Sequence, residues 1–146
     1  MSTASSSDRL VSEEHARGAF LTVFAILLAI LALSDFTKPL QNFHDPTKGL
    51  VFFGMRADGV GINAVAGPLF GIFLAAYAYG MWTMKRWALP LGIIYAFYVP
   101  VNLVLFWFLH TDGRPSVRFI VIYLAISLTG SVGTALYLAY HRERLS

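Results

Sequence analysis

The chain has 146 residues, of which 57% are hydrophobic and only 13% are charged, and its formal net charge is +3. Soluble globular domains usually carry about a quarter charged residues, so this composition predicts a membrane protein. The absence of cysteine excludes disulfides, thiolate catalysis and cysteine-bound metal clusters. The positive charge forms no lysine or arginine stripe, so no nucleic-acid partner is expected.

Four long apolar segments follow a polar, serine-rich stretch, residues 1–17, which we predict to be a flexible cytoplasmic tail. Each segment approaches or exceeds the roughly 20 residues that a helix needs to cross a bilayer, and is too long for a barrel strand. The sequence therefore predicts an all-α integral membrane protein, a four-transmembrane-helix bundle with up-down topology. The predicted domain is 18–140, its helices are 18–36, 59–84, 87–110 and 116–140, and a cytoplasmic tail, 141–146, follows.

The first apolar segment has a second interpretation. Ala32-Leu33-Ser34 resembles the small-residue site at which a signal peptide is cleaved. Two glutamates in the preceding region, and an apolar run that is nearly long enough to span a membrane, favour an uncleaved helix. Both possibilities stay open, with the uncleaved form preferred.

The basic residues near the predicted helix ends indicate an orientation. The turn between the second and third segments carries Lys85 and Arg86, and Arg142 and Arg144 follow the fourth segment. Basic residues in short loops tend to stay in the cytoplasm, so both termini are predicted to be cytoplasmic. The expected location is the cell membrane, as a multi-pass protein of a bacterial inner membrane, with the lipid bilayer as its surroundings.

The stretch GVGINA, residues 59–64, matches the dinucleotide-binding pattern G-x-G-x-x-G/A by letter. That pattern binds a pyrophosphate only between a strand and a helix, and here it opens an apolar helix. Gly59, Asn63, Gly67 and Gly71 instead recur every fourth residue, as in close helix packing in membranes. Packing within the chain is the preferred interpretation, and a seam in a homo-oligomer or a larger membrane complex is the alternative.

Several polar residues fall at the predicted outer ends of the helices. Asparagine and tyrosine in lipid must find hydrogen-bond partners, so they should point into the bundle. They are expected to line a polar, ligand-binding pocket open to the outer face, with interhelical hydrogen bonding as the alternative. The candidate ligand-binding residues are Arg56, Asp58, Asn63, Tyr95, Tyr98, Asn102, His110 and Tyr123.

No catalytic group, metal centre or cofactor is predicted. His44, Asp45, His110 and Asp112 lack the tight spacing of metal ligands, and no histidine lies within the bundle to hold a haem. Acidic or basic residues are missing from the predicted mid-membrane, which argues against a proton-coupled carrier. The segment GLVFFGM, residues 49–55, is too short to span and is expected to lie at the interface and cover the bundle.

The four-span plan resembles those of small multidrug carriers and of quinone-associated membrane anchors. The first typically carry a membrane-embedded glutamate and the second a haem-ligating histidine, and the predicted helices contain neither, so no residue role is transferred. Three functions are expected, in this order: a structural or accessory membrane subunit, a binder or carrier of a small molecule or lipid, and an enzyme acting on a lipid at the outer interface.

Overall fold

The computed structural model describes the backbone of residues 6–45, 49–57, 59–109 and 116–146, and the side chains of all of these except 6–17, 119 and 120. Two of the candidate ligand-binding residues, Asp58 and His110, lie outside the described residues.

The described chain is helical apart from one small hairpin and the connecting residues. The elements, in order, are α1 (Ser6–Phe36), α2 (Lys38–His44), β1 (Val51–Phe52), β2 (Met55–Arg56), α3 (Val60–Trp82), α4 (Ala88–Leu109), α5 (Val117–Tyr140) and a short 3-10 turn (Arg142–Arg144).

Four of these helices are long and apolar enough to cross a membrane, which confirms the predicted helical class and the predicted number of membrane-length helices. The membrane-length segments are Gly18–Phe36, Val60–Trp82, Ala88–Leu109 and Val121–Tyr140. Their ends lie within a few residues of the predicted boundaries, because the apolar runs end at charged or turn-forming residues.

Helix α1 begins twelve residues before its membrane-length part and changes direction at Gly18. Gly18 has φ 72° and ψ 159°, a backbone conformation that side-chain-bearing residues rarely adopt. A Cβ atom there would also lie 2.9 Å from the hydroxyl oxygen of Tyr137 on α5. Residues 6–17, predicted as a flexible tail, are therefore the helical arm before this break.

The segment predicted to lie at the interface forms a tight antiparallel hairpin. Val51 pairs with Arg56 and Phe52 pairs with Met55. The two turn residues, Phe53 and Gly54, have φ values of 44° and 77°, the positive-φ pair of a type I′ turn.

Glycines of α3 allow α1 to pack closely along it. A Cβ atom at Gly67 would lie 2.7 Å from the carbonyl oxygen of Asp35, and one at Gly71 would lie 3.0 Å from the ring of Phe36. The predicted small-residue stripe thus contacts α1 within the chain at these two positions. Close approach of backbones is a main source of packing energy in lipid.

The two ends of the bundle differ. The half beside the α3–α4 turn, called the turn half, is filled by side chains that are fully buried: Leu21, Leu74, Tyr77, Met81 and Leu138. The Tyr77 hydroxyl shares a 2.8 Å hydrogen bond with that of Thr134 on α5. The other half lies beneath the hairpin and is called the hairpin half.

The segment after α5, predicted as a cytoplasmic tail, folds back on the α3–α4 turn. The backbone N–H of Ser146 donates to the carbonyl of Met84, and that of Arg86 donates to the carbonyl of Ser146, both at 2.9 Å. Leu145 is buried against the core of the turn half. These contacts order the turn and residues 145–146 together.

Candidate functional site

A cavity of about 370 Å³ lies in the hairpin half, between α1, α4 and α5. Its wall is mainly apolar, with Leu28 and Leu31 from α1, Val99 and Leu103 from α4, and Ile126 from α5. Volumes of about 300–1,000 Å³ with a few convergent polar groups are typical of small-molecule sites.

Four of the predicted ligand-binding residues line this cavity. They are Tyr95, Tyr98, Asn102 and Tyr123. The first three share one face of α4, at spacings of three and four residues, and Tyr123 faces them from α5. The ring of Tyr95 also lies 5.9 Å from that of Tyr77, centroid to centroid, so it stands at the boundary with the packed turn half.

Asn102 and Tyr98 hold the hairpin over the cavity. The side-chain oxygen of Asn102 accepts from the backbone N–H of Gly54 at 2.9 Å, and its amide donates to the carbonyl of Val51 at 3.2 Å. The Tyr98 hydroxyl donates to the same Val51 carbonyl at 3.1 Å. The hairpin tip is thereby fixed to α4 through polar side chains, and the hydrogen bonds of these two residues run from helix to loop.

Asn63 does not line the cavity, although it is fully buried. Its side-chain oxygen accepts from the backbone N–H of Leu50 at 2.8 Å, and its amide donates to the carbonyls of Ala57 and Gly59 at 2.7 and 2.9 Å. It therefore ties together the two ends of the hairpin loop at the start of α3. Its hydrogen-bonding capacity is used within the chain.

Arg56 is exposed on β2 and is not part of the cavity wall. An enzyme acting at the membrane interface would need an acidic side chain close to a basic one, such as Asp58 or Asp35 beside His110 or Arg56. Within the described residues no hydrogen bond or salt bridge joins Asp35 to Arg56, and the other two residues lie outside the described ranges.

Asp35 also lines the cavity, although it was not among the candidate ligand-binding residues. It lies near the end of α1, lines the cavity and is only 4% exposed. It continues the cavity-facing positions of α1, namely Phe24, Leu27, Leu28 and Leu31, at helical spacing. This helical spacing could have predicted that Asp35 faces inward, because an acidic residue on the inward face of a membrane helix points into the bundle.

The carboxylate of Asp35 accepts no hydrogen bond and forms no salt bridge from any residue that the structure describes. Lys38, one turn further along, also lines the cavity, but its ammonium donates to the Gln41 side chain at 3.4 Å. Burying a carboxylate without a direct partner costs free energy, so a ligand that donates a hydrogen bond to Asp35 would be stabilised in the cavity.

Two residues that line the cavity, one on α1 and one on α5, keep much of their accessible surface. Leu27 retains half of its accessible surface and Ile126 retains 64%, although both line the cavity. Contacts between the two helices involve Phe20 and Phe24 against Gly130, Gly133 and Tyr137. The wall of the cavity is therefore partly exposed at these two positions.

A second depression, called the alanine groove, runs along the far side of α1 and α3. It is lined by apolar residues with the exception of a tyrosine and a tryptophan: Ala25, Ala29, Ile30, Leu33, Tyr79 and Trp82 among them. It lacks any acidic, basic or amide side chain in its wall. Its lining is therefore typical of a surface that faces lipid, whereas the cavity wall also carries charged and amide side chains.

Within the described parts of the chain, no three histidine or carboxylate side chains come together as metal ligands. No protein-family model matches the sequence, and neither a curated protein nor a solved structure is significantly similar to it. The geometry of this chain is therefore the evidence for its function.

Proposed function

We propose that this chain is a membrane protein that binds a small, mainly apolar molecule in the cavity of its hairpin half. The observation that carries the proposal is a cavity of about 370 Å³ that combines an apolar wall with a buried carboxylate free of hydrogen-bond partners in the described chain. Such a combination of apolar surface and a few oriented polar groups is characteristic of ligand sites.

A role as an accessory subunit has weaker support from the contacts. That role would use the small-residue stripe of α3 to bind a second chain. Gly67 and Gly71 already contact α1, so a partner at these positions would have to displace α1. The enzyme alternative lacks an observed pairing of acid and base, since Arg56 is exposed and does not itself line the cavity.

The proposed arrangement in the membrane follows from the basic residues. Lys85 and Arg86 lie in the α3–α4 turn, and Arg142 and Arg144 lie in the segment that folds against it. Four basic residues at one end favour that end on the cytoplasmic side. With up-down topology, both termini are then cytoplasmic, and the hairpin and the cavity face the outer side of a bacterial cell membrane.

Binding of a neutral apolar probe tests the proposal. The purified protein, reconstituted in lipid nanodiscs, would be titrated with dodecanol. We expect saturable binding by the wild type. Ser127→Phe places a ring in the cavity wall and should weaken the binding by about tenfold or more. Thr129→Phe, on the same helix but exposed and outside the wall, is the matched control and should bind as the wild type does.

Two results would overturn the proposal. One is an absence of saturable dodecanol binding by the wild type. The other is equal binding by the Ser127→Phe and Thr129→Phe variants, because the probe would then occupy the lipid-facing surface and not the cavity.

A further inference from the structure

We infer that the ligand of this cavity carries a protonated amine, and that Asp35 is the group that binds it. The inference rests on the proposed function, and it adds the chemical class of the ligand: a primary or secondary amine attached to an apolar body.

The charge of Asp35 supplies the first argument. Its side chain is 96% buried, as its exposed fraction is 4%, and it lines the cavity. No described residue donates a hydrogen bond to its carboxylate or lies within salt-bridge distance of it. A neutral donor such as an alcohol would satisfy one lone pair but leave the charge uncompensated, whereas an ammonium compensates the charge and donates as well.

The aromatic wall supplies the second argument. The rings of Phe70, Tyr95, Tyr98 and Tyr123 line the same cavity as Asp35. The faces of aromatic rings attract cations, most strongly where water is excluded. In addition, the hydroxyl of Tyr95 takes part in no hydrogen bond with the described residues, so its oxygen is available to accept from an ammonium.

Lys38 limits how strong this attraction can be. It lines the cavity one turn from Asp35, and its positive charge opposes the entry of a second cation. Its ammonium is directed to Gln41, so it does not neutralise Asp35 through a direct ion pair. The two residues should therefore have opposite effects on amine binding, which a purely structural role for Asp35 would not produce.

The first test compares two probes that differ only in the head group. Dodecylamine and dodecanol would be titrated into the wild-type protein in nanodiscs of zwitterionic lipid, with protein-free nanodiscs as the blank. We expect dodecylamine to bind about tenfold or more tightly than dodecanol, because the charge-assisted hydrogen bond forms only with the amine.

The second test uses two variants. Asp35→Asn keeps the shape of the side chain and removes its charge, so dodecylamine should bind about tenfold more weakly, whereas dodecanol needs only a neutral hydrogen-bond partner and should lose much less affinity. Lys38→Gln should tighten dodecylamine binding by about threefold and change dodecanol binding by less. Far-UV circular dichroism shows in each case whether the variant is folded.

The outcomes separate the two claims. If dodecanol binds but dodecylamine binds no more tightly, the amine inference is overturned and the binding function stands. Amine binding that does not weaken in Asp35→Asn also overturns the inference. If neither probe saturates, the binding function itself is contradicted. Should Asp35→Asn fail to fold, the response of Lys38→Gln decides, since an unchanged amine affinity would contradict a charge-based site.

Discussion

The hairpin half and the turn half of this bundle are closed in different ways. The turn half is filled by buried side chains around Tyr77, and the last described residues pack against it. The hairpin half contains a cavity, and its cover is a six-residue hairpin. Asn102 bonds to the hairpin turn, Tyr98 bonds to its first strand, and Asn63 bonds to the loop residues on either side of it. One half is closed by packing and the other by hydrogen bonds to a loop.

This difference indicates which half of the bundle can accommodate a ligand. Close packing resists any change of volume, so the turn half should set the stability of the bundle. A loop held by a few hydrogen bonds can open at a modest free-energy cost. Stability and ligand binding should therefore respond to different sets of substitutions.

The largest expected effect is in the turn half. Tyr77→Ala removes a ring with no exposed surface, together with its hydrogen bond to Thr134, and should lower the free energy of unfolding by about 3–5 kcal/mol. Unfolding in mixed micelles, followed by far-UV circular dichroism, measures it. Tyr140→Ala, at a position that is 85% exposed, is the control and should have little effect. Equal effects of the two would contradict the packed turn half.

The next effect concerns the contact of α1 with α3. Gly67→Ala introduces a methyl group 2.7 Å from the Asp35 carbonyl oxygen, so backbone must move, and the free energy of unfolding should fall by about 1–3 kcal/mol. Gly61→Ala has open space around it and should be neutral or stabilising by up to about 1 kcal/mol. If both variants were equally stable in the same unfolding assay, α1 would not pack on Gly67.

A smaller and local effect is expected in the hairpin half. Asn63→Ala leaves the N–H of Leu50 without its side-chain acceptor, so exchange of this amide should accelerate by about tenfold. Asn102→Ala should do the same for Gly54 at the hairpin tip. Hydrogen exchange followed by mass spectrometry measures both, with the amides of α5 near Leu138 as the internal control. Acceleration across α5 as well would show that the two halves open together.

The smallest expected effect is Thr134→Val. The substitution keeps the shape of the side chain but removes the hydroxyl that bonds to Tyr77, and such bonds between membrane helices contribute about 0.6 kcal/mol on average. The same unfolding titration measures it, and dodecanol binding should stay unchanged. A loss as large as that of Tyr77→Ala would mean that the hydrogen bond, and not packing, holds the turn half.

The sequence was sufficient for the four membrane-length helices, because long apolar runs leave few alternatives in a bilayer. It was also sufficient for the cavity-facing residues of α4, since Tyr95, Tyr98 and Asn102 share one helical face. It did not predict the hairpin, whose strands have two residues each and whose Phe53-Gly54 turn lacks the usual Asn-Gly or Asp-Gly pair.

Two other features depended on tertiary structure. Asn63 could have pointed into a pocket or bonded to a loop, and only the path of residues 50–59 decides between these. Asp35 lies close to the end of an apolar segment, a position from which the sequence alone does not predict burial. Its burial depends on the packing of α1 against α3 near Gly67 and on a cavity wall that is built from distant segments of the chain.

Residue-level photolabelling would show directly whether the probe binds in the cavity of the hairpin half. A diazirine derivative of dodecanol would be activated on the protein in nanodiscs, with and without excess dodecanol. We expect competable labelling of cavity residues such as Leu31, Tyr98 and Tyr123, and only non-competable labelling of the alanine groove at Ala29 and Ile30. Labelling of both surfaces to the same extent, unaffected by competition, would contradict a binding cavity in the hairpin half.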